Sequence, residues 1–271
     1  AAGGPMSTHG AQVESLRTIR RRGLAALTER EAFRVLRLWR QTIVPQIIAA
    51  TLFVVVFGIA LGREIREIEG VPYEQFIIPG LVLMGVVTQA FANNATSLYQ
   101  ARSDGFIEDP ATSPMAPRHL MVGYLSGGVL RSILIAIGTL AVARIFIEYP
   151  LEEPLVLSAT IVIAAIGFSA LGTIVGLYST GWEQQNFTLN MVIQPLAFLG
   201  GVFYSVNALS EPWRSLTYAD PIFYAVSAAR YGVLGDAEVA PWLSMGVTTA
   251  VSAALLAWCW VLFRKGVGLR T

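Results

Sequence analysis

The sequence predicts an all-α membrane protein: six transmembrane helices, an N-terminal interfacial amphipathic helix, and an outer re-entrant hairpin between spans five and six. Three observations predict it. The first is composition. Of 271 residues, 54% are hydrophobic and 14% charged, against roughly 25% charged in an ordinary soluble domain. The second is a set of six apolar stretches, at 42–62, 76–98, 120–147, 154–178, 187–203 and 242–263, each near the roughly 20 residues a helix needs to cross about 30 Å of hydrocarbon. The third is an uneven distribution of arginine and lysine along the chain.

Residues 1–5 precede Met6 and are expected to be a cloning scar. A basic segment, 6–28, follows, with Arg17, Arg20, Arg21 and Arg22, and no apolar core of a cleavable signal. Residues 29–41 read as an amphipathic helix. Ala32, Phe33, Leu36 and Trp39 are spaced for one side and Arg30, Arg34 and Arg37 for another, a pattern that suits the headgroup layer. Trp39 beside Arg40 marks a membrane boundary, where an indole ring is at home. One membrane domain then occupies 42–267.

Cytoplasmic flanks carry the basic excess. The N-terminal arginines and the tail residues Arg264, Lys265 and Arg270 therefore put both termini inside, which an even number of crossings allows. The opposite loops agree: 63–75 holds four glutamates, and the turn at Glu148, Glu152 and Glu153 has no basic residue. Between spans five and six, 204–241 mixes aromatics, Pro212, Pro221 and charges around an apolar run, 222–234, that is too short to cross. Non-spanning backbone at membrane depth must be shielded by protein or water, hence the re-entrant hairpin.

The chemistry that is missing narrows the function. No G-x-x-x-x-G-K-[ST] loop exists to hold ATP phosphates. His9 and His119 form no zinc motif, and no G-x-S-x-G elbow points to acyl transfer. The lone Cys259 lies in an apolar run and excludes a disulfide within the chain. With 19 basic against 18 acidic residues, net charge gives no reason to expect nucleic acid as a partner. Energy for any transport must come from a partner or an ion gradient.

The first cytoplasmic loop has the most specific local pattern. Asp104–Gly105 favours a turn, Phe106 and Ile107 form an apolar tip, Glu108 and Asp109 follow, and Pro110, Pro114 and Pro117 break the chain before the next helix. Such an element is shaped to dock another protein, although an ordinary polar loop has the same ingredients.

Three ordered stretches carry a family resemblance: QFIIPGLVLMGVVTQAFANNATSLYQARSDGFIEDPATSPMAP from Gln75, PLAFLGGVFYSVNALSEPW from Pro195, and DPIFYAVSAARYGVLG from Asp220. From about Arg34 to Arg270 the chain resembles the ABC type-2 transporter permeases, in the branch of YadH, NodJ and the daunorubicin-resistance permeases. The resemblance implies a homodimeric membrane domain in the bacterial inner membrane, bound to two copies of a separate ATP-binding subunit. That subunit would hold ATP and Mg, and this chain would bind no cofactor and catalyse no bond cleavage. It implies further that Asp104 to Pro117 contains the coupling helix, that Trp182 and Glu183 in the second cytoplasmic turn make a smaller contact, and that the cargo is a drug, glycan or lipid-like amphiphile.

Polar residues inside the spans are the candidates for the substrate path: Gln89, Asn93, Asn94, Arg131 and Gln194, with Gln46 and Thr88 beside them. Each is costly in hydrocarbon and should face protein or water, and each could equally be a helix-packing group. Gly127–Gly128 and Gly200–Gly201 are expected to permit close helix approach. Two rival readings are an ion-driven secondary transporter and an intramembrane enzyme on lipid-linked substrates. The first needs intramembrane carboxylates, and every Asp and Glu falls in a loop or flank. The second has only Glu211, Asp220, Asp236 and Glu238 to build on.

Overall fold

The computed structural model describes residues 6–105 and 115–268, with backbone alone at 6–17, 19, 59 and 63. Helix α1 runs unbroken over Met6–Arg37. The amphipathic pattern read at 29–41 is thus the last part of a longer helix, and Trp39 opens the next one. Leu27, Glu31 and Val35 are buried, whereas Phe33, Leu36 and Trp39 are exposed. Residues four apart share a helix face, so α1 turns the strip through 27, 31 and 35 to the bundle and the large apolar side chains away from it.

Among the described residues five helices are long and apolar enough to cross a membrane: α2 (Trp39–Gly58), α3 (Tyr73–Ser103), α4 (Pro117–Phe146), α5 (Pro154–Tyr178) and α9 (Pro241–Lys265). Four fall on stretches predicted as the second, third, fourth and sixth spans, and α2 starts three residues before the predicted first span. Proline occupies the first turn of α4, α5 and α9, where its missing N–H is no loss and its φ suits the helix. From Val54 the end of α2 is wound as a π-helix, which continues past it to Leu61. Around the predicted fifth span, α6 (182–199) joins two α-helical pieces, Trp182–Thr188 and Gln194–Leu199, through a π-helical piece, Leu189–Ile193.

Helix α3 is the axis of the bundle. Its buried positions go all the way round, from Phe76 and Ile77 to Leu98, and α5 and α4 make its most extensive packing. Lipid is as apolar as leucine, so close packing rather than water exclusion holds such helices together. Gly172 and Gly176, one turn apart on α5, supply it: a Cβ at Gly172 would lie 2.2 Å from the Phe91 carbonyl oxygen, and one at Gly176 2.8 Å from that of Ala95.

Two features close the end opposite α1. Strands β1 (Glu67–Ile68) and β2 (Val71–Pro72) form an antiparallel hairpin between α2 and α3. Both its turn residues have positive φ, 54° at Glu69 and 82° at Gly70, the geometry that matches the strands' right-handed twist. Beyond α6, the short helices α7 (Trp213–Ala219) and α8 (Pro221–Leu234) meet at Asp220. At 1.5 Å per residue α8 spans about 21 Å, less than the hydrocarbon thickness, and its Ile222, Phe223, Val226 and Ala229 are fully buried.

Candidate functional site

At the end carrying α1 the bundle encloses a polar network. Glu31 is 1% exposed, a burial that needs ionic partners and hydrogen bonds to be tolerable. It has both. Arg34 donates from Nη2 to Glu31 Oε2 at 2.8 Å, Ser97 Oγ donates to the same oxygen at 2.9 Å, and Arg30 Nη2 donates to Oε1 at 3.1 Å. Arg34 Nη2 also reaches Asn93 Oδ1 at 3.2 Å. Asn93 donates to Asn94 Oδ1 at 3.3 Å, and Asn94 Nδ2 donates to the Tyr124 carbonyl at 3.2 Å and to Thr173 Oγ1 at 3.0 Å. One chain of contacts thus ties α1, α3, α4 and α5.

The pair Gly127–Gly128 makes room for this network. A Cβ at Gly127 would stand 3.0 Å from Glu31 Oε2, and one at Gly128 2.1 Å from Asn94 Oδ1 and 2.4 Å from Ser169 Oγ. These glycines let polar side chains of α1, α3 and α5 come close to α4. At Gly200 the near atoms are Ile222 Cγ2 and the Phe223 nitrogen, each 3.3 Å from its Cβ position.

A second assembly joins the ends of α3 and α5. Arg102 Nη1 donates to the carbonyls of Gly176 at 3.1 Å, Leu177 at 2.5 Å and Ser179 at 3.3 Å, satisfying acceptors that a helix C-terminus leaves open and meeting its partial negative charge. Tyr99 packs edge-on against Trp182 at 5.2 Å and its hydroxyl donates to the Thr180 carbonyl at 3.4 Å. After this grip the chain turns at Asp104 and Gly105, the glycine at φ 72°. Phe106, Ile107, Glu108, Asp109, Pro110 and Pro114 lie outside the described residues. Glu183 is exposed in the first turn of α6.

The in-span polar candidates divide. Gln89 donates to Gln46 Oε1 at 2.9 Å, and Thr88 bonds back to the Met84 carbonyl at 2.7 Å. Arg131 Nη2 reaches the Thr42 carbonyl at 3.4 Å, while its buried Nε has no acceptor among the described residues. Asn93 and Asn94 belong to the Glu31 network. Gln194 is half-buried on α6, and no described hydrogen bond joins it to the others.

At the opposite end, Arg230 on α8 is 2% exposed. Its Nη2 donates to the Gly201 carbonyl at 2.7 Å, its guanidinium lies 3.8 Å from the Phe76 ring centroid, and Nη1 stands 3.6 Å from Glu238. Burial lowers the Arg230 pKa, with Glu238 and Glu69 acting the other way; burial raises that of Glu238, opposed first by Arg230. Glu69, at the hairpin turn, accepts from Ser205 Oγ and Asn207 Nδ2 at 2.7 Å each, which anchors a backbone conformation that residues other than glycine rarely adopt. Asp220 caps α8, its Oδ1 accepting from the Ile222 N–H at 2.9 Å, and desolvation pushes its carboxyl up to about 6. No three His, Cys, Asp or Glu among the described residues are grouped to hold a metal ion.

Glu31, Arg102 and Arg230 are absent from the candidates drawn from sequence. Glu31 and Arg102 flank predicted spans, where charges are ordinary topology signals, and Arg230 lies in a stretch with no periodicity to orient it. The close approach of α5 to α3 has a legible signal, the small-xxx-small spacing Gly172–Gly176.

The model of the family described as ABC-2 type transporter matches residues 22–234. The inner membrane transport permease YadH of Escherichia coli is 34% identical over 248 residues, 92% of this chain and 97% of its own length. Nodulation protein J of Azorhizobium caulinodans is 25% identical over 210 residues, covering 76% of this chain and 82% of its own. A daunorubicin resistance ABC transporter permease protein of Streptomyces coeruleorubidus is 26% identical over 210 residues, 76% and 71% of the two chains.

Proposed function

The chain belongs to the ABC-2 type transporter family and is the membrane permease subunit of an ABC exporter, paired with a separate ATP-binding subunit; from that premise we propose how it is built into the exporter and how movement reaches it. It is a multi-pass inner-membrane protein. In our reading α6 is a further crossing, giving six, both termini are cytoplasmic, and α7 and α8 form the outer re-entrant hairpin. The 18 residues of 182–199 make a helix of about 27 Å, close to the hydrocarbon thickness, and the arginines of α1 and the tail favour the cytoplasm.

Two permeases pair and bind two ATP-binding subunits, which hold ATP and Mg. The pairing follows the family to which the chain belongs; α2, with Ile48, Leu52, Val55 and Val56 exposed, and α6, with Phe187, Met191, Val192 and Phe198 exposed, are the helices along which we place the second copy. ATP binding closes the partner subunits, the movement is received by the loop that begins at Asp104–Gly105 and by Trp182 and Glu183, and the paired spans alternate between inward and outward access. The carrying observation is the joint made by Arg102 and Tyr99, which clamps the flank of the first loop to the second turn. The two contacts then receive one movement. An amphiphilic cargo suits the daunorubicin-resistance relative, and the substrate path would pass Gln89, Asn93, Asn94, Arg131 and Gln194.

The test is co-purification with the ATP-binding subunit, followed by ATPase assays of the reconstituted complex. Replacing Phe106, Glu108 and Asp109 together is expected to uncouple hydrolysis from transport. Unchanged coupling would overturn the loop assignment. Reporter fusions after Asn207 and after Arg264 test the topology, with the first expected outside and the second inside.

A further inference from the structure

Beside the Glu31 network lies a cavity of about 340 Å³ between α1 and the end of α3, walled by Arg30, Arg34, Ser97, Gln100, Ala101 and Asp104. We infer that this cavity binds the phosphodiester headgroup of a phospholipid in the leaflet facing α1. Its size is within the range of small-molecule sites, and three observations point to this occupant.

The first is unspent hydrogen-bonding capacity. A guanidinium has five N–H donors. Arg34 uses Nε and Nη2 on Glu31 and Asn93, and Arg30 uses Nη2 on Glu31. Nη1 of Arg34 has no acceptor among the described residues; Arg30 also lies against Tyr124, whose ring centroid is 5.5 Å from the guanidinium and whose side chain it interacts with. Arg30 is 44% exposed and Arg34 25%, while the carboxylate that fixes them is 1% exposed. The arginines are held in place from behind and open in front, an arrangement suited to phosphate oxygens.

Charge is the second. The wall's four charged groups balance, Arg30 and Arg34 against Glu31 and Asp104, but Glu31 is buried behind the guanidiniums, so the face a ligand meets is led by the two arginines with Asp104 at the rim. Asp104 at the rim disfavours a ligand carrying several negative charges. The third observation is depth. The midpoint of α3 is near residue 88, so Ser97 and Ala101 lie about 14 and 20 Å from it along the axis. They bracket the hydrocarbon boundary, about 15 Å from the bilayer centre. Phe33, exposed one turn after Arg30, offers an apolar surface where an acyl chain would run.

Naming the leaflet as cytoplasmic rests on the topology proposed above. The binding itself does not, because it is measured on purified protein in detergent, so a failed topology and a failed site give separate results.

Native mass spectrometry of the full chain, titrated with phosphatidylglycerol, phosphatidylethanolamine and diacylglycerol, reads the occupancy. Both phospholipids are expected to bind at least tenfold more tightly than diacylglycerol, which has no phosphate. Arg30→Gln and Ala101→Trp, the second filling the cavity without changing its charge, should each weaken the phospholipids tenfold or more, with Arg40→Gln as an unaffected surface control. Arg34 is left intact because its loss would strand buried Glu31. Gel filtration and thermal melting confirm that each variant is folded; if Ala101→Trp is not, Arg30→Gln and Gln100→Leu decide. Equal binding of diacylglycerol, or unchanged phospholipid affinity in the folded variants, overturns the site. Displacement of the lipid by millimolar inorganic phosphate assigns the site to free phosphate and overturns the lipid occupant.

Discussion

Replacing Gly172 by alanine tests the packing on which the bundle depends. The new Cβ would sit 2.2 Å from the Phe91 carbonyl oxygen, where ordinary contact begins at 3.4 Å. Helices α3 and α5 must therefore open by about 1 Å locally, and the obstacle is backbone, which cannot rotate away. Overpacking of this kind costs about 1–3 kcal/mol, and rigid backbone places it at the upper end. Alanine recovers about 1 kcal/mol of helix propensity over glycine, leaving a net loss of about 2 kcal/mol. Gly246, on α9, is the internal control: nothing lies within 4 Å of its Cβ position, so Gly246→Ala keeps the propensity gain alone. Unfolding by SDS titration in mixed micelles should separate the two variants by about 3 kcal/mol, the sum of these terms. If Gly172→Ala is as stable as Gly246→Ala, close approach of α3 and α5 is not what holds the bundle together.

Three other outcomes follow from the polar sites. Arg102→Gln should cost about 1.5–3 kcal/mol, the value of hydrogen bonds to a charged donor, and speed amide hydrogen exchange in the turn from Ser179 to Gln184. Glu238→Ala leaves Arg230 buried without its carboxylate and should destabilise by about 3–5 kcal/mol; Arg230→Met added to it should restore much of that loss in the same titration. Asp220 is protonated more readily in the fold than in the unfolded chain, about 6 against 3.8, so its contribution is complete below pH 4 and lost as pH rises through 6. Melting temperature followed from pH 4 to 7 should decline less in Asp220→Asn, which keeps a capping oxygen, whereas Asp220→Ala also loses about 1 kcal/mol of cap.

How far the sequence could be read differs from element to element. Helices α3, α4, α5 and α9 are legible because a run of about 20 apolar residues has few alternatives to crossing hydrocarbon. Helix α6 is less so: Gln184, Gln185, Asn186 and Asn190 dilute it, and its π-helical middle has no compositional mark. The hairpin at 67–72 is too short for a period to show. Amphipathicity in α1 is legible; that the strip taken by the bundle is the one with Glu31, leaving Phe33, Leu36 and Trp39 turned away from it, is not. Buried charge is the hardest to see. Whether Glu31 or Arg230 meets water depends on partners 66 residues away for Ser97 and 29 residues away for Gly201, a distance over which local pattern carries no information.

The π-helical stretches in α2 and α6 have a consequence for assembly. A π turn accommodates one residue more than the α-helical repeat, and one residue corresponds to about 100° of rotation. Side-chain strips before and after Val54–Leu61, and before and after Leu189–Ile193, are therefore out of phase along the same rod. Each helix can hold its own bundle with one strip at one end and aim a different strip outward at the other. Both helices also leave apolar side chains uncovered, so in each the phase break lets one end serve the folding of its own subunit while the other is free to meet a second.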